Sequence, residues 1–120
     1  MAYDRNNIFA KILRGDIPCK KIFENEFALA FYDINPQAPT HVLVIPKGEY
    51  VSFDDFSSKA SNDEITGFFR TAGQVANQVG ATEQGFRLIS NCGSNGGQEV
   101  PHFHIHILAG RKLGKMVAAA

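Results

Sequence analysis

The sequence predicts an α+β domain in which a five-stranded antiparallel sheet packs with one short and one long helix. Five short segments rich in β-branched and aromatic residues are separated by turn residues, as strands are. One longer segment instead repeats its apolar side chains at helical spacing. With 120 residues, 44% of them hydrophobic, the chain is expected to form a single domain, residues 1–120, with one core.

The first predicted element is a short helix that ends at Gly15 and Pro18. Its apolar stripe consists of Ile8, Phe9, Ile12 and Leu13. Two strands, 20–25 and 27–32, follow as a hairpin that turns at Asn25-Glu26.

A third strand, 41–46, begins after two prolines that break the chain. The long helix then starts at a capping box made by Ser61 and Glu64, and Gly80 ends it. Its expected core face consists of Ile65, Phe68, Phe69, Ala72, Val75, Ala76 and Val79. Strands 86–91 and 102–108 complete the five, and the C-terminal tail, which ends in Val117 and three alanines, is expected to be frayed.

Composition excludes several classes of partner. Lysine plus arginine and aspartate plus glutamate both number 12, and no basic tract favours binding to a nucleic acid polymer. Cys19 and Cys92 are expected to be free thiols in a reducing compartment. The N-terminus lacks the apolar core of a signal peptide, and no apolar run approaches the roughly 18 residues of a membrane span. We therefore expect a soluble, cytoplasmic protein with no membrane partner.

The most informative motif is His102, His104 and His106, which alternate with apolar residues. On a strand, three imidazoles would share one face, with neighbours about 6.6 Å and the outer pair about 13 Å apart. A phosphorus or carbonyl centre between His104 and His106 could be attacked by one and protonated by the other. One metal ion could be bound by two of these three histidines but hardly by all of them, so we expect no resident metal. The alternative to a catalytic motif is a fortuitous zinc site or a histidine-rich surface strand.

The segment before these histidines, residues 91–98, contains three glycines. Glycine admits positive φ and lets backbone N–H groups approach an anion closely. The segment therefore predicts either a phosphate cradle or a wide turn. Its position directly before the histidines favours the cradle.

Residues 96–108, GGQEVPHFHIHIL, resemble the signature of the histidine triad superfamily. Residues 8–12 (IFAKI), 15–18 (GDIP) and 31–47 (FYDINPQAPTHVLVIPK) are similar to its Hint branch, the histidine triad nucleotide-binding proteins. The resemblance covers about residues 6–111, which would be the core of a single HIT domain. It implies a homodimer in which two such sheets join into one of ten strands, with the long helices and an edge strand at the twofold axis.

The resemblance implies a nucleotide-binding hydrolase that needs no cofactor and cleaves the P–N bond of purine nucleoside 5′-phosphoramidates, and also aminoacyl-adenylates. His104 would be the nucleophile that forms a nucleotidyl-histidine intermediate. His106 would stabilise the α-phosphate and protonate the leaving group, titrating near pH 6.5. His102 and His41 would orient the others, in a structural or a catalytic role. A dinucleoside polyphosphate hydrolase of the Fhit type and a nucleotide-binding adaptor with incidental hydrolysis are the alternatives.

The resemblance also implies binding residues. Asp33 matches the aspartate that binds the ribose hydroxyls, although alone it would be interpreted as a turn residue. Asn91 matches a position near the phosphates or sugar, and Gly97, Gln98 and the backbone N–H of Glu99 would line the phosphate. The purine would be walled by Ile8, Phe9, Ile12, Phe31 and Ile34.

The chain departs from the family at several positions. Asn7 and Ala10 stand where some relatives carry a zinc-binding Cys-x-x-Cys, so that zinc site is not expected. Glu99 stands where animal Hint proteins have serine, and Tyr32 replaces a histidine beside Asp33. The C-terminal tail is short and lacks the tryptophan of animal forms. Leaving-group preference therefore does not carry over from the family.

Overall fold

The computed structural model describes residues 2–118 and contains five strands and five helical segments in that range. The strands are β1 (Lys21–Glu24), β2 (Ala28–Tyr32), β3 (Thr40–Pro46), β4 (Arg87–Ile89) and β5 (Ile105–Ala109). The helices are α1 (Ile8–Leu13), α2 (Phe53–Lys59), α3 (Asn62–Gln78), α4 (Ala81–Gln84) and α5 (Gly93–Gly96). The strands pair antiparallel in the order β1-β2-β3-β5-β4, which confirms the predicted fold class.

Local side-chain bonds explain where the predicted elements begin. The Asn25 side chain accepts hydrogen bonds from the backbone N–H groups of Phe27 and Ala28 and so closes the β1–β2 turn. The capping box at the start of α3 is present in full, with Ser61 and Glu64 each accepting from the other's backbone. The hairpin and the long helix are confirmed as predicted.

Three helical segments, α2, α4 and α5, are absent from the sequence prediction. Each spans at most two turns, too short for an apolar period to be recognised. In α2, only Phe56 is buried, and the helix is specified by its N-cap Ser52 and by acidic residues in its first turn. The glycine-rich segment, for which we expected a phosphate cradle or a wide turn, contains α5, a single helical turn.

The predicted last strand, 102–108, is too long at its start. β5 begins at Ile105, so His102 and His104 precede the strand and do not share one strand face with His106. The partner strand β3 ends at Pro46, which has no N–H to continue the ladder. The backbone N–H of Phe103 instead donates to the carbonyl of Tyr50 at 2.7 Å.

Both faces of the sheet are buried. On β2, Ala28 and Ala30 face the main core under α3, while Leu29 and Phe31 face a second cluster that includes Phe9 of α1. Most of the predicted α3 core face is confirmed, but Phe69 is 39% exposed. The second face, between the sheet and α1, is the one that carries the site.

Among the described residues, no helix combines the length and the apolar character that a membrane crossing requires. Of the tail that we expected to be frayed, Ala119 and Ala120 lie outside the described residues. The predicted homodimer stays a prediction, because the structure contains one chain.

Candidate active site

A cavity of about 380 Å³ opens between α1 and the sheet face opposite α3. One side is an apolar wall that includes all five residues predicted to contact a purine: Ile8, Phe9, Ile12, Phe31 and Ile34. The other end is polar and is lined by Asp33, Asn91, Gly97, Glu99, His104 and His106. The fold thus brings together residues from distant parts of the chain that the sequence analysis placed in one site.

His104 presents a single free nitrogen to this cavity. Its Nδ1 lies 2.7 Å from the backbone carbonyl oxygen of His102. Because a carbonyl only accepts, Nδ1 carries the hydrogen and Nε2 keeps the lone pair. The ring is buried, with the edge-on ring of Phe9 at 4.9 Å between centroids. His104 is therefore held as a neutral imidazole with a nucleophilic Nε2.

His41 and His106 form a hydrogen-bonded pair whose tautomers are also fixed. The backbone N–H of Gln37 donates to His41 Nδ1 at 3.0 Å, so the hydrogen of His41 lies on Nε2. His41 Nε2 then donates to His106 Nδ1 at 2.9 Å. In the neutral His106 ring the hydrogen consequently lies on Nε2. His106 therefore lines the cavity as a hydrogen-bond donor, while His41 lies behind it.

His102 lies behind the cavity, and both of its ring nitrogens are hydrogen-bonded within the protein. The ring is 0% exposed, and its Nε2 donates to the carbonyl of Pro46 at 3.0 Å. Its Nδ1 therefore accepts from the hydroxyl of Tyr3, at 2.5 Å. Sequence reasoning missed Tyr3, which carries no motif and lies 99 positions from its partner. Tyr3 and Pro46 together fix the residue whose carbonyl orients His104.

All four histidines are held neutral. Burial lowers the pKa of each, to about 4 for His102 and His106. For His106, burial is the largest cause of the lowered pKa, and the nearby His104 and His41 lower it further. The expectation that the pKa of His106 lies near 6.5 is therefore wrong for the protein without a bound nucleotide. For His104, the hydrogen bond to the His102 carbonyl partly opposes the effect of burial on the pKa. A neutral His104 is the form that can act as a nucleophile.

Ligand atoms of Asp33, His41 and His106 all lie within 4.8 Å of one another, a spacing that could hold a metal ion. The sequence analysis considered only the three histidines of the motif and missed this grouping. However, the Gln37 N–H occupies the Nδ1 lone pair of His41, so Nε2 carries the hydrogen that a metal ion would have to displace. The donor set therefore fits a chain of hydrogen bonds better than a metal centre.

Asp33 serves two purposes at the end of β2. Its Oδ1 accepts from the backbone N–H of Asn35 at 2.8 Å, as a turn residue would. Its Oδ2 lies 3.4 Å from His41 Nε2 and the residue lines the cavity. The two interpretations of this aspartate are compatible.

The glycine-rich segment contributes Asn91 and Gly97 to the polar end of the cavity. Gly97 has φ 75°, a left-handed conformation that favours glycine, and it lines the cavity. The side chain of Gln98 turns away: its amide donates to the carbonyls of Val51 and Val100 and accepts from the N–H of Gly93. Gln98 therefore stabilises the segment and does not line the cavity.

The fold and the site define a class of small α+β protein in which an apolar cavity ends at a cluster of neutral, hydrogen-bonded histidines. The HIT domain family model matches residues 14–113. This chain belongs to the HIT domain family.

Similar proteins and similar solved structures include other HIT proteins. A HIT-like protein of Azospirillum brasilense is 64% identical over 115 residues, which are 96% of this chain and 94% of that protein. A purine nucleoside phosphoramidase of Escherichia coli K12 is 45% identical over 112 residues, 92% of each chain. A solved histidine triad protein from Clostridium difficile is 43% identical and superposes with a TM-score of 0.86, covering 97% of this chain and 100% of that one. A HIT family hydrolase from Clostridium thermocellum is 36% identical with the same TM-score and covers 96% and 99%.

Proposed function

We propose that this protein is a hydrolase that cleaves the P–N bond of purine nucleoside 5′-phosphoramidates. The proposal depends on one observation: the polar end of an apolar cavity holds both a free lone pair, on His104 Nε2, and a hydrogen-bond donor, on His106. The 45% identity to a purine nucleoside phosphoramidase of Escherichia coli supports the same substrate class.

A nucleoside monophosphate fits the distribution of polar and apolar groups in the cavity. Its volume of about 380 Å³ lies within the usual range for small-ligand sites. The base would pack between Phe9 and the other apolar wall residues, and the ribose hydroxyls would donate to Asp33. The α-phosphate would then lie at Gly97 and the histidines, where backbone N–H groups can bind its oxygens.

In the first step, His104 Nε2 forms a bond to phosphorus and the P–N bond breaks. The imidazole ring of the adduct is positively charged, and its Nδ1–H is stabilised by the hydrogen bond to the His102 carbonyl. The departing amine takes a proton from His106. A phosphate anion in the cavity raises the pKa of His106 above its value without ligand, so that His106 can carry this proton. The added proton would lie on His106 Nδ1, and His41 Nε2 would then donate to Asp33 Oδ2, 3.4 Å away, instead of to His106.

In the second step, water attacks phosphorus, the bond to His104 breaks, and His106 takes the proton of the water. The products are the nucleoside monophosphate and the amine, and both histidines return to their starting states. Aminoacyl-adenylates would react with His106 neutral at the start, because the carboxylate leaves without a proton. His106 would again take the proton of the attacking water, and that proton would then pass to solvent.

The proposal is tested by turnover of an adenosine phosphoramidate beside diadenosine tetraphosphate, at equal enzyme concentration. Among residues 2–118, no lysine or arginine lines the cavity to receive a polyphosphate leaving group. We expect kcat/KM for the phosphoramidate to be higher by at least about 100-fold, or about 2.7 kcal/mol. Equal rates, or a preference for the dinucleotide, would contradict the proposal. Nucleotide binding without turnover of either would favour an adaptor.

We also propose that the protein is a homodimer. Within the described chain, β4 is an edge strand, and its Leu88 is 47% exposed, beside Phe86 at 40%. On α3, Phe69 is 39% exposed where the sequence predicted a core residue. Sedimentation equilibrium tests this proposal, because a monomer at micromolar concentration would contradict it.

A further inference from the structure

The charged side chains that line the cavity are both acidic. They are Asp33 and Glu99, and within the described part of the chain no cationic side chain lines the same space. This distribution is unusual for a cavity proposed to hold an anionic phosphate, because like charges repel. One of the two carboxylates therefore requires a further explanation.

Asp33 is already explained by its neighbours, since it accepts from the N–H of Asn35 and lies 3.4 Å from His41 Nε2. Glu99 differs: among residues 2–118 its carboxylate takes part in no ion pair and no hydrogen bond, and the residue is exposed. Its charge nevertheless acts on His104, whose pKa it raises against the effect of burial. Glu99 thus lies at the solvent-open, polar end of the cavity, near the proposed nucleophile.

The geometry of displacement determines what Glu99 can contact. A nucleophile attacks phosphorus roughly opposite to the leaving group. The base is assigned to the apolar wall, so the rest of the leaving group extends from the polar end toward solvent, where Glu99 lies. A carboxylate there repels the phosphate unless a positive charge on the substrate lies between them.

We propose that Glu99 selects substrates whose departing amine carries a second, cationic group. The substrate class is a nucleoside 5′-phosphoramidate of a diamine or of a basic amino acid. This inference rests on the proposed function, since it assumes P–N cleavage with the amine leaving toward solvent. The bond changes are those already given, and the second cationic group takes no part in them.

The test compares two adenosine 5′-phosphoramidates of equal length. In one the amine is 1,3-diaminopropane, whose free end is cationic; in the other it is n-butylamine, whose free end is a methyl group. For the wild-type protein at low salt we expect kcat/KM to be about fivefold higher for the cationic substrate, the size of an exposed ion pair. The preference is expected to fall as salt is added, because exposed charges are screened.

The measured quantity in the variants is the ratio of the two kcat/KM values. In Glu99→Gln the ratio is expected to fall to about one, and in Glu99→Lys below one. Glu83→Gln, an exposed glutamate on α4 outside the cavity, is the matched control and is expected to keep the fivefold ratio.

The outcomes separate this inference from the proposed function. Turnover of both substrates with a ratio near one in wild type, or an unchanged ratio in Glu99→Gln, overturns the role of Glu99 and leaves P–N hydrolysis intact. Turnover of neither substrate overturns the proposed function and this inference with it. Because the salt dependence is measured on the wild-type protein, the test does not depend on the stability of any variant.

Discussion

Replacing Tyr3 by phenylalanine removes one hydroxyl and keeps the ring that packs edge-on against His102, with centroids 5.6 Å apart. The hydroxyl is the donor to His102 Nδ1, and His102 is 0% exposed. The variant therefore leaves a buried acceptor without its partner, which costs about 1–3 kcal/mol. We expect the free energy of unfolding in urea to fall by that amount with an unchanged m-value.

Tyr32→Phe is the matched control for stability, because Tyr32 is 42% exposed and water can reach it. Its free energy of unfolding is expected to change by less than about 0.5 kcal/mol. A loss in Tyr3→Phe no larger than in this control would refute the argument that Tyr3 fixes His102.

The same variant tests whether Tyr3 acts on the chemistry through His102. Tyr3 does not line the cavity, so KM for a phosphoramidate is expected to stay within about twofold. The carbonyl of His102 orients His104, so kcat is expected to fall by about tenfold as that carbonyl gains freedom. A purely structural role would leave kcat unchanged at temperatures where the variant stays folded.

Three further predictions concern metal, pH and packing. Turnover should survive exhaustive chelation, because His41 Nε2 carries a hydrogen; loss with EDTA and recovery with Zn²⁺ would contradict this. The free energy of unfolding should fall as pH drops from about 6.5 to about 4, because His102 takes up a proton in the unfolded chain at a higher pH than in the folded protein. The difference between a pKa of about 4 in the folded protein and about 6.5 in the unfolded chain is worth about 3 kcal/mol. Urea unfolding that shows the same stability across this pH range would contradict the prediction. Gly67→Ala should lower the free energy of unfolding by about 1–3 kcal/mol, because the added Cβ would lie 2.4 Å from the Phe27 ring. Gly73→Ala, on the same helix, should be neutral or stabilising, because no atom lies within 4 Å of the added Cβ. Equal effects of the two substitutions would contradict the close packing of Gly67 against Phe27.

Sequence reasoning was most successful where a signal is local and periodic. The capping box at Ser61 and the apolar repeat that follows it specify α3 without reference to the rest of the fold. The β-branched and aromatic residues of β2 and β3 likewise predict strands from local sequence. Signals of this kind depend only on neighbours in sequence, so they predicted the order of the main elements.

The parts that sequence reasoning missed depend on contacts between distant segments. His106 lies opposite Leu43 in the β3–β5 register, and only this register brings His41 within hydrogen-bond distance. The contact of Tyr3 with His102 joins the two ends of the chain. The low pKa of His106 follows from burial, which the sequence cannot supply. The short helices α2, α4 and α5 lack a recognisable period.

The most direct test of the account is to observe the bond between nucleotide and His104. In a rapid-quench experiment with an adenosine phosphoramidate, we expect intact-mass spectra to show protein that has gained one adenylyl group, and peptide mapping to place it on residue 104. His104→Asn should lose both the adduct and turnover while nucleotide affinity stays within a few-fold, because the contacts to base and ribose remain. An adduct on another residue, or near-normal turnover by His104→Asn, would contradict the account.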